Sequence, residues 1–235
     1  MIKALIATIV YDLKRVTNVW FRTENASGYL LEAGYLSSEV CNEIYNKVKT
    51  LLSNSNDLQS GIFIDKRGWL GHDEGMIDIK NIDHFMPELT GFINIDDILY
   101  KLKSFTHKKI RIESIHCYYN HGVTNTRRLH VDSHTKSQYK AFIYITDVLS
   151  EDYGPYCYVP NSANFTITRY FSIIKNFCAK KPLTDFDNKI NRMKMKQLCG
   201  PKGSLIVSNQ NGAHRGWPQK KNRERMLIAL NLVEH

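Results

Sequence analysis

The chain has 235 residues, 43% of them hydrophobic, and 32 Lys and Arg against 23 Asp and Glu give it a formal net charge of +9. That length and apolar content fit one globular domain with a buried core and exclude a disordered or low-complexity chain. Five cysteines with no CxxC pair exclude a zinc ribbon or a thioredoxin-type site, and predict reduced thiols in a cytoplasmic protein.

The opening ten residues are apolar but broken by Lys3, too short to span a bilayer and without a small-residue cleavage site. Ile2, Leu5, Ile6, Ile9, Val10, Leu13 and Val16 recur at helical spacing, which predicts an amphipathic helix packed on the body and no membrane partner. Residues 28–33 read as a strand. Ser37 then caps a helix with Glu39 in its first turn and an apolar stripe of Val40, Cys41, Ile44, Tyr45, Val48, Leu51 and Leu52.

Residues 53–60 form a polar loop, and 61–89 mix short strands with turns. Among those turns is a glycine-flanked one carrying Trp69, His72 and Asp73, read as a surface turn. Residues 95–103 predict a second helix capped by Asn94. From 109 onward the pattern is β: Ile110, Ile112, Ser114, His116 and Tyr118 alternate with Arg111, Glu113, Ile115, Cys117 and Tyr119. Further strands are expected over 139–148, 155–159, 204–208 and 226–233. The stretch 165–199 interrupts them, reads as helical and carries eight Lys or Arg against two Asp. The expected architecture is mainly β, a sandwich or barrel with helices and short strands over 1–108, a core over 109–233 and a basic helical insertion at 165–199.

Two motifs carry chemistry. His130 and Asp132 are two apart, so in an extended segment both side chains leave the same face and reach one metal ion. With nine histidines in the chain an HxD match arises easily by chance, but this one lies just before the strongest predicted strand, where ligands sit at a barrel mouth. His214 follows a strand and a tight polar turn, Asn209-Gln210-Asn211-Gly212-Ala213. Arg225, eleven residues later, heads the apolar strand 226–233. A guanidinium facing the core there needs a carboxylate partner, which the distal end of a 2-oxo acid provides bidentately. Arg223 competes for that role.

The run Arg128-Leu129-His130-Val131-Asp132, then Tyr144-Ile145-Thr146-Asp147-Val148, Gly154-Pro155-Tyr156-Cys157-Tyr158-Val159-Pro160-Asn161-Ser162, Gly203-Ser204-Leu205 and His214-Arg215-Gly216 resembles the phytanoyl-CoA dioxygenase-like branch of the Fe(II)/2-oxoglutarate oxygenases. The resemblance covers about residues 110–233, and Gly34-Tyr35-Leu36 with its helix is similar to the family's entry segment. It implies a double-stranded β-helix, or jelly-roll, fold. It implies His130, Asp132 and His214 as ligands of Fe(II) and Arg225 as the anchor of 2-oxoglutarate. Two positions depart from the pattern. Asn161 stands where the family more often has glycine in Pro-Gly-Ser-His, and Gly216 stands where some members carry a hydroxyl that helps hold the co-substrate. Tyr118, on the preceding strand, is the candidate for the missing contact.

The activity implied is oxidation of an unactivated C–H in a small molecule, by hydroxylation first, with desaturation and ring formation also open, and with specialised-metabolite or surface-sugar biosynthesis expected. Asp132, where a halogenase would carry Ala or Gly, leaves no coordination site for halide. The basic insertion suits an anionic substrate and could close over the mouth as a lid; a solvated helix face explains the same charge. A nucleic-acid dealkylase of the same superfamily would account for the net charge, but Arg223-Glu224-Arg225 lacks the longer two-arginine strand associated with dealkylases. A non-catalytic jelly-roll binding module, or a zinc hydrolase, gives no reason for His130, Asp132, His214 and Arg225 to occur together.

Overall fold

The computed structural model describes residues 3, 6–10, 27–54, 62–67, 72–163, 167–186 and 195–235. Along the chain run β1 (Tyr29–Glu32), α1 (Ser38–Ser53), β2 (Phe63–Lys66), β3 (Met76–Lys80), α2 (Ile82–Phe85), α3 (Leu89–Phe92), α4 (Ile95–Leu102), β4 (Ile110–His121), β5 (Gln138–Tyr144), β6 (Tyr156–Tyr158), α5 (Ile167–Cys178), β7 (Lys196–Leu198), β8 (Leu205–Asn209), β9 (His214–Gly216) and β10 (Glu224–Glu234).

The strands form a seven-stranded sheet in the order β1-β8-β5-β10-β4-β3-β2 and a three-stranded sheet in the order β7-β6-β9. Every pairing is antiparallel. Alternation gives the large sheet two apolar faces. Ile115, Cys117, Ala141, Ile143, Val207, Ile228 and Leu230 pack outward against Ile44, Val48, Ile98 and Leu102 of the helices. Phe142, Tyr144, Ile206, Leu227 and Ala229 pack inward against Tyr156, Tyr158 and Leu198 of the small sheet. Two sheets closed over one interior, with helices on the outside of the larger, are the jelly roll the sequence predicts.

Both helix caps form as expected: Ser37 accepts from the Val40 N–H, and Asn94 accepts from the Asp97 N–H. The N-terminal residues 1–108 supply short strands as well as helices, and β1, β2 and β3 extend the large sheet on both sides.

Four expectations are corrected. The alternation along β4 breaks at a bulge opposite Asn231 and Leu232, so Ile112 joins Ile115 and Cys117 on the helix side rather than Ser114 and His116 on the inner side. The strand expected over 139–148 ends at Tyr144, because the chain there leaves the large sheet and reaches the small one, where Val148 bridges Gly200. Among the described residues of the 165–199 stretch the helix spans Ile167–Cys178, and the far end is β7, which completes the small sheet and buries Leu198. In the described helical turn at 6–10 the buried residue is Thr8, while Ile6, Ile9 and Val10 face outward, so these members of the predicted stripe do not pack on the body.

All five cysteines are free. Among the described residues no helix is long and apolar enough to cross a membrane.

Ile143 is fully buried at the centre of the helix-facing core. Ile143→Ala is expected to cost about 2–5 kcal/mol, read as a lower urea midpoint at unchanged slope.

Candidate metal centre

The chain positions its two histidines by pairing their backbones. The His130 N–H donates to the His214 carbonyl at 3.0 Å, and the His214 N–H donates back to the His130 carbonyl at 2.8 Å. The 130 segment therefore continues the small sheet beyond β9 and sets the two rings side by side, their centroids 4.5 Å apart. Each imidazole is turned by its Nδ1. His130 Nδ1 lies 2.8 Å from the Arg128 carbonyl and His214 Nδ1 lies 2.9 Å from the Gly212 carbonyl, which fixes the Nδ1–H tautomer and leaves both Nε2 lone pairs facing one point. Asp132 Oδ1 completes the triangle, 3.6 Å from His130 Nε2 and 3.5 Å from His214 Nε2. Among the described residues these three are the one cluster able to hold a metal ion, with ligand atoms all within 4.8 Å of one another.

The electrostatics suit a cation. Burial and the neighbouring His214 push His130 well below the usual imidazole range, so it stays neutral. Burial alone would raise the Asp132 carboxyl, but Lys140 and His214 outweigh it and hold the group well below the usual carboxylate range. Two imidazoles and one carboxylate on one face form the set used by non-haem Fe(II) sites.

Sequence reasoning missed Lys140. Its Nζ stands 2.8 Å from Asp132 Oδ2, the oxygen turned away from the histidines. The carboxylate is thereby divided, with Oδ1 left for a metal and Oδ2 held by an ammonium. Nothing in the local sequence marks this lysine. It reaches Asp132 because β5 places it on the inner face of the large sheet.

The turns around the triad are tightly specified. Tyr158 donates its hydroxyl to the Asn209 carbonyl, and a Cβ on Gly212 would run into that hydroxyl, so the residue before Ala213 must be glycine. Asn211 donates to the carbonyls of Ser133 and Lys136 and ties the loop after Asp132 to the turn before His214. Asn161 adopts φ 64°, the left-handed conformation that asparagine tolerates, and so does the work of the glycine that the resemblance leads one to expect. Ser162 beside it accepts from the Ala213 N–H at 2.7 Å.

Arg225 lies inside β10 rather than at its head. It is 6% exposed, and its Nη1 donates to the Gly154 carbonyl. Gly154 takes φ 71° to present that carbonyl. Arg225 Nε is buried with no hydrogen-bond partner, and among the described residues no carboxylate pairs with the guanidinium. A Cβ on Gly216 would stand 3.6 Å from Nη2, so the absence of a side chain there leaves room beside the guanidinium. A buried cation with an unmet donor and adjacent space suits an incoming carboxylate.

Arg223 is exposed and stacks over Tyr153 at 4.7 Å. Tyr118 points to the inner face between Leu227 and Asp78, and Arg67 lies over its ring at 5.8 Å. Burial raises its pKa, Lys140 opposing the shift and Asp78 adding to it. The His72–Asp73 turn is no free surface loop: the Asp73 N–H donates to the Asn125 carbonyl and Asp73 Oδ1 accepts from the Arg127 N–H, just upstream of His130. Trp69 lies outside the described residues. So do Lys189 and Lys194 of the basic insertion. The described part of that insertion returns to the site, where the Val131 N–H donates to Thr184 and the Phe186 N–H donates to Leu129.

Sequence comparison matches the chain to no family model and to none of the curated proteins. Solved structures do match. HygX from Streptomyces hygroscopicus, with nickel and 2-oxoglutarate bound, superposes with a TM-score of 0.62 at 14% identity, over 89% of this chain and 84% of that one. The likeness is one of fold. The non-haem α-ketoglutarate-dependent epimerase SnoN from nogalamycin biosynthesis gives 0.62 at 13% identity, over 94% and 82%. The carbocyclase SnoK from the same biosynthesis gives 0.61 at 15% identity, over 88% and 80%. The jelly roll inferred from the sequence is thus the architecture of these enzymes.

Replacing Lys140 by Met removes the charge that holds Asp132 Oδ2 while keeping the stem's volume. Metal affinity, read by titration with Fe(II) under anaerobic conditions, is expected to fall about 10–100-fold, the usual effect of losing a partner behind a metal ligand.

Proposed function

We propose that the chain is an Fe(II)/2-oxoglutarate-dependent oxygenase that hydroxylates a C–H bond of a small molecule. The observation that carries this reading is the pairing of two features in one interior: a three-ligand face of His130, Asp132 and His214, and a buried guanidinium, Arg225, with an unmet donor beside Gly216. A zinc hydrolase accounts for the first feature only.

The residues divide the work. His130 Nε2, His214 Nε2 and Asp132 Oδ1 would hold iron on one face and leave its other face open to co-substrate and dioxygen. Arg225 would pair with the 5-carboxylate of 2-oxoglutarate. Iron with its co-substrate supplies the oxidant, and the overall balance is 2-oxoglutarate, dioxygen and R–H giving succinate, CO₂ and R–OH. The inner sheet face holds the reacting C–H in place and keeps water away, with Phe142, Leu227 and Ala229 as its apolar part. Solved structures of this fold carry hygromycin B in HygX and a nogalamycin compound in SnoN, which supports a substrate from specialised metabolism here. The described end of the basic insertion, hydrogen-bonded to residues 129 and 131, supports its proposed place as a lid at the mouth.

Anaerobic addition of 2-oxoglutarate to the Fe(II)-loaded protein is expected to produce the weak visible charge-transfer band of an iron–2-oxo acid chelate. His130→Ala should abolish it. Arg225→Ala should weaken 2-oxoglutarate binding about 100-fold, the scale of leaving one partner of a buried charge pair unmatched. An iron-loaded, folded protein without the band would overturn the assignment.

A further inference from the structure

The inner face of the large sheet changes character along its length. Beyond Arg225 and its partner Asn120 come Leu227, Tyr118 and Tyr144, then Ala229, His116 and Phe142. The next row is polar on four adjacent strands. Ser208 of β8 pairs with Lys140 of β5, Lys140 with Asn231 of β10, and Asn231 with Ser114 of β4. Asn231 donates to Ser114 Oγ at 2.9 Å. His116 reaches the same oxygen through Nε2 at 3.0 Å and is held from behind by Asp78 at 2.9 Å and, through Asp78, by Arg67. A hydrogen-bonded polar row across an otherwise apolar sheet face is costly to bury against an apolar ligand.

That row lies one step along the sheet from an opening. One strand repeat farther out, Gln138 pairs with Val233 and Val233 with Arg111. These three, with Glu113 and Lys136, line an open cavity of about 680 Å³. Arg111, Glu113 and Lys136 form no ion pair among the described residues. The loop that carries Lys136 begins at Asp132 itself and is tied by Asn211 to the turn before His214. The cavity is therefore on the far side of the metal ligands from Arg225, where a substrate enters if the co-substrate lies between iron and Arg225.

We infer that this cavity and the polar row beside it are the substrate subsite, and that the substrate is a polyhydroxylated ring, a sugar or cyclitol, rather than an acyl chain. The inference rests on the oxygenase reading for its orientation and goes beyond it in naming the substrate class. Ring hydroxyls would meet Ser114, Asn231 and Gln138 as donors and acceptors, with Arg111, Lys136 and Glu113 at the rim. An alkyl chain would offer the rim groups Arg111, Glu113 and Lys136 no partner, the kind of mismatch that discriminates most strongly between substrates.

Ligand-observed saturation-transfer NMR on the whole chain tests this, with methyl α-D-glucopyranoside, myo-inositol and octanoyl-CoA as probes. Saturation of at least one polyol is expected, falling about fivefold or more in Asn231→Leu and in Gln138→Leu, the effect of one lost hydrogen bond in each. Gln138 lies at the rim, so its variant keeps the test informative if Asn231→Leu fails to fold. Three results overturn the inference: octanoyl-CoA saturated and the polyols not, no probe saturated, or polyol saturation unchanged in both variants. The chelate band described above is read on the same preparations. Its absence with polyol binding intact removes the oxygenase reading alone; its presence without polyol binding removes the subsite alone.

Discussion

Two backbone hydrogen bonds between His130 and His214 hold the centre together. They are ordinary antiparallel ladder contacts, yet they join segments from distant parts of the chain and place two imidazoles on one side of one small sheet. Everything else in the site is arranged around that pairing. Asp132 follows because alternation returns the side chain two residues on to the same face. The loop after Asp132 and the turn before His214 are locked to each other through Asn211. The fold contributes rigidity: β6 and β9 lie in the small sheet, and its inner ring, Tyr156, packs 5.6 Å from His214.

Charge inside the roll is handled in two ways. Lys140 is half-buried and partnered by Asp132. Arg225 is buried and only half satisfied, by a single carbonyl. A protein interior accepts the first arrangement readily and the second at a cost, because a desolvated cation without a counter-ion is among the more expensive things a core can contain. Burial accordingly lowers the Arg225 pKa from its ordinary value. The cost falls next to Gly216, where no side chain stands beside the guanidinium. Local destabilisation of this kind marks places where a ligand completes the structure.

Much of this was legible in the sequence. The spacing of His130 and Asp132, the strand–turn–histidine run before His214, and the helix caps at Ser37 and Asn94 depend on residues near one another in the chain, and local rules reach them. Lys140 was not legible, since an isolated lysine in a strand reads as a solvated residue and only the inward direction of β5 turns it toward Asp132. The β4 bulge was hidden because alternation of apolar and polar residues looks continuous through Glu113. The far end of the 165–199 stretch read as helix because Lys-Met-Lys-Gln-Leu has helical propensity; pairing with β6 overrides it. Asn161 looked like a loss and is a substitution of equivalent backbone geometry.

Tyr158 and Gly212 occupy one volume between them. A lineage that enlarges position 212 has to give up the ring at 158, and with it the bond to the Asn209 carbonyl that shapes the approach to His214. The two positions can drift only as a pair.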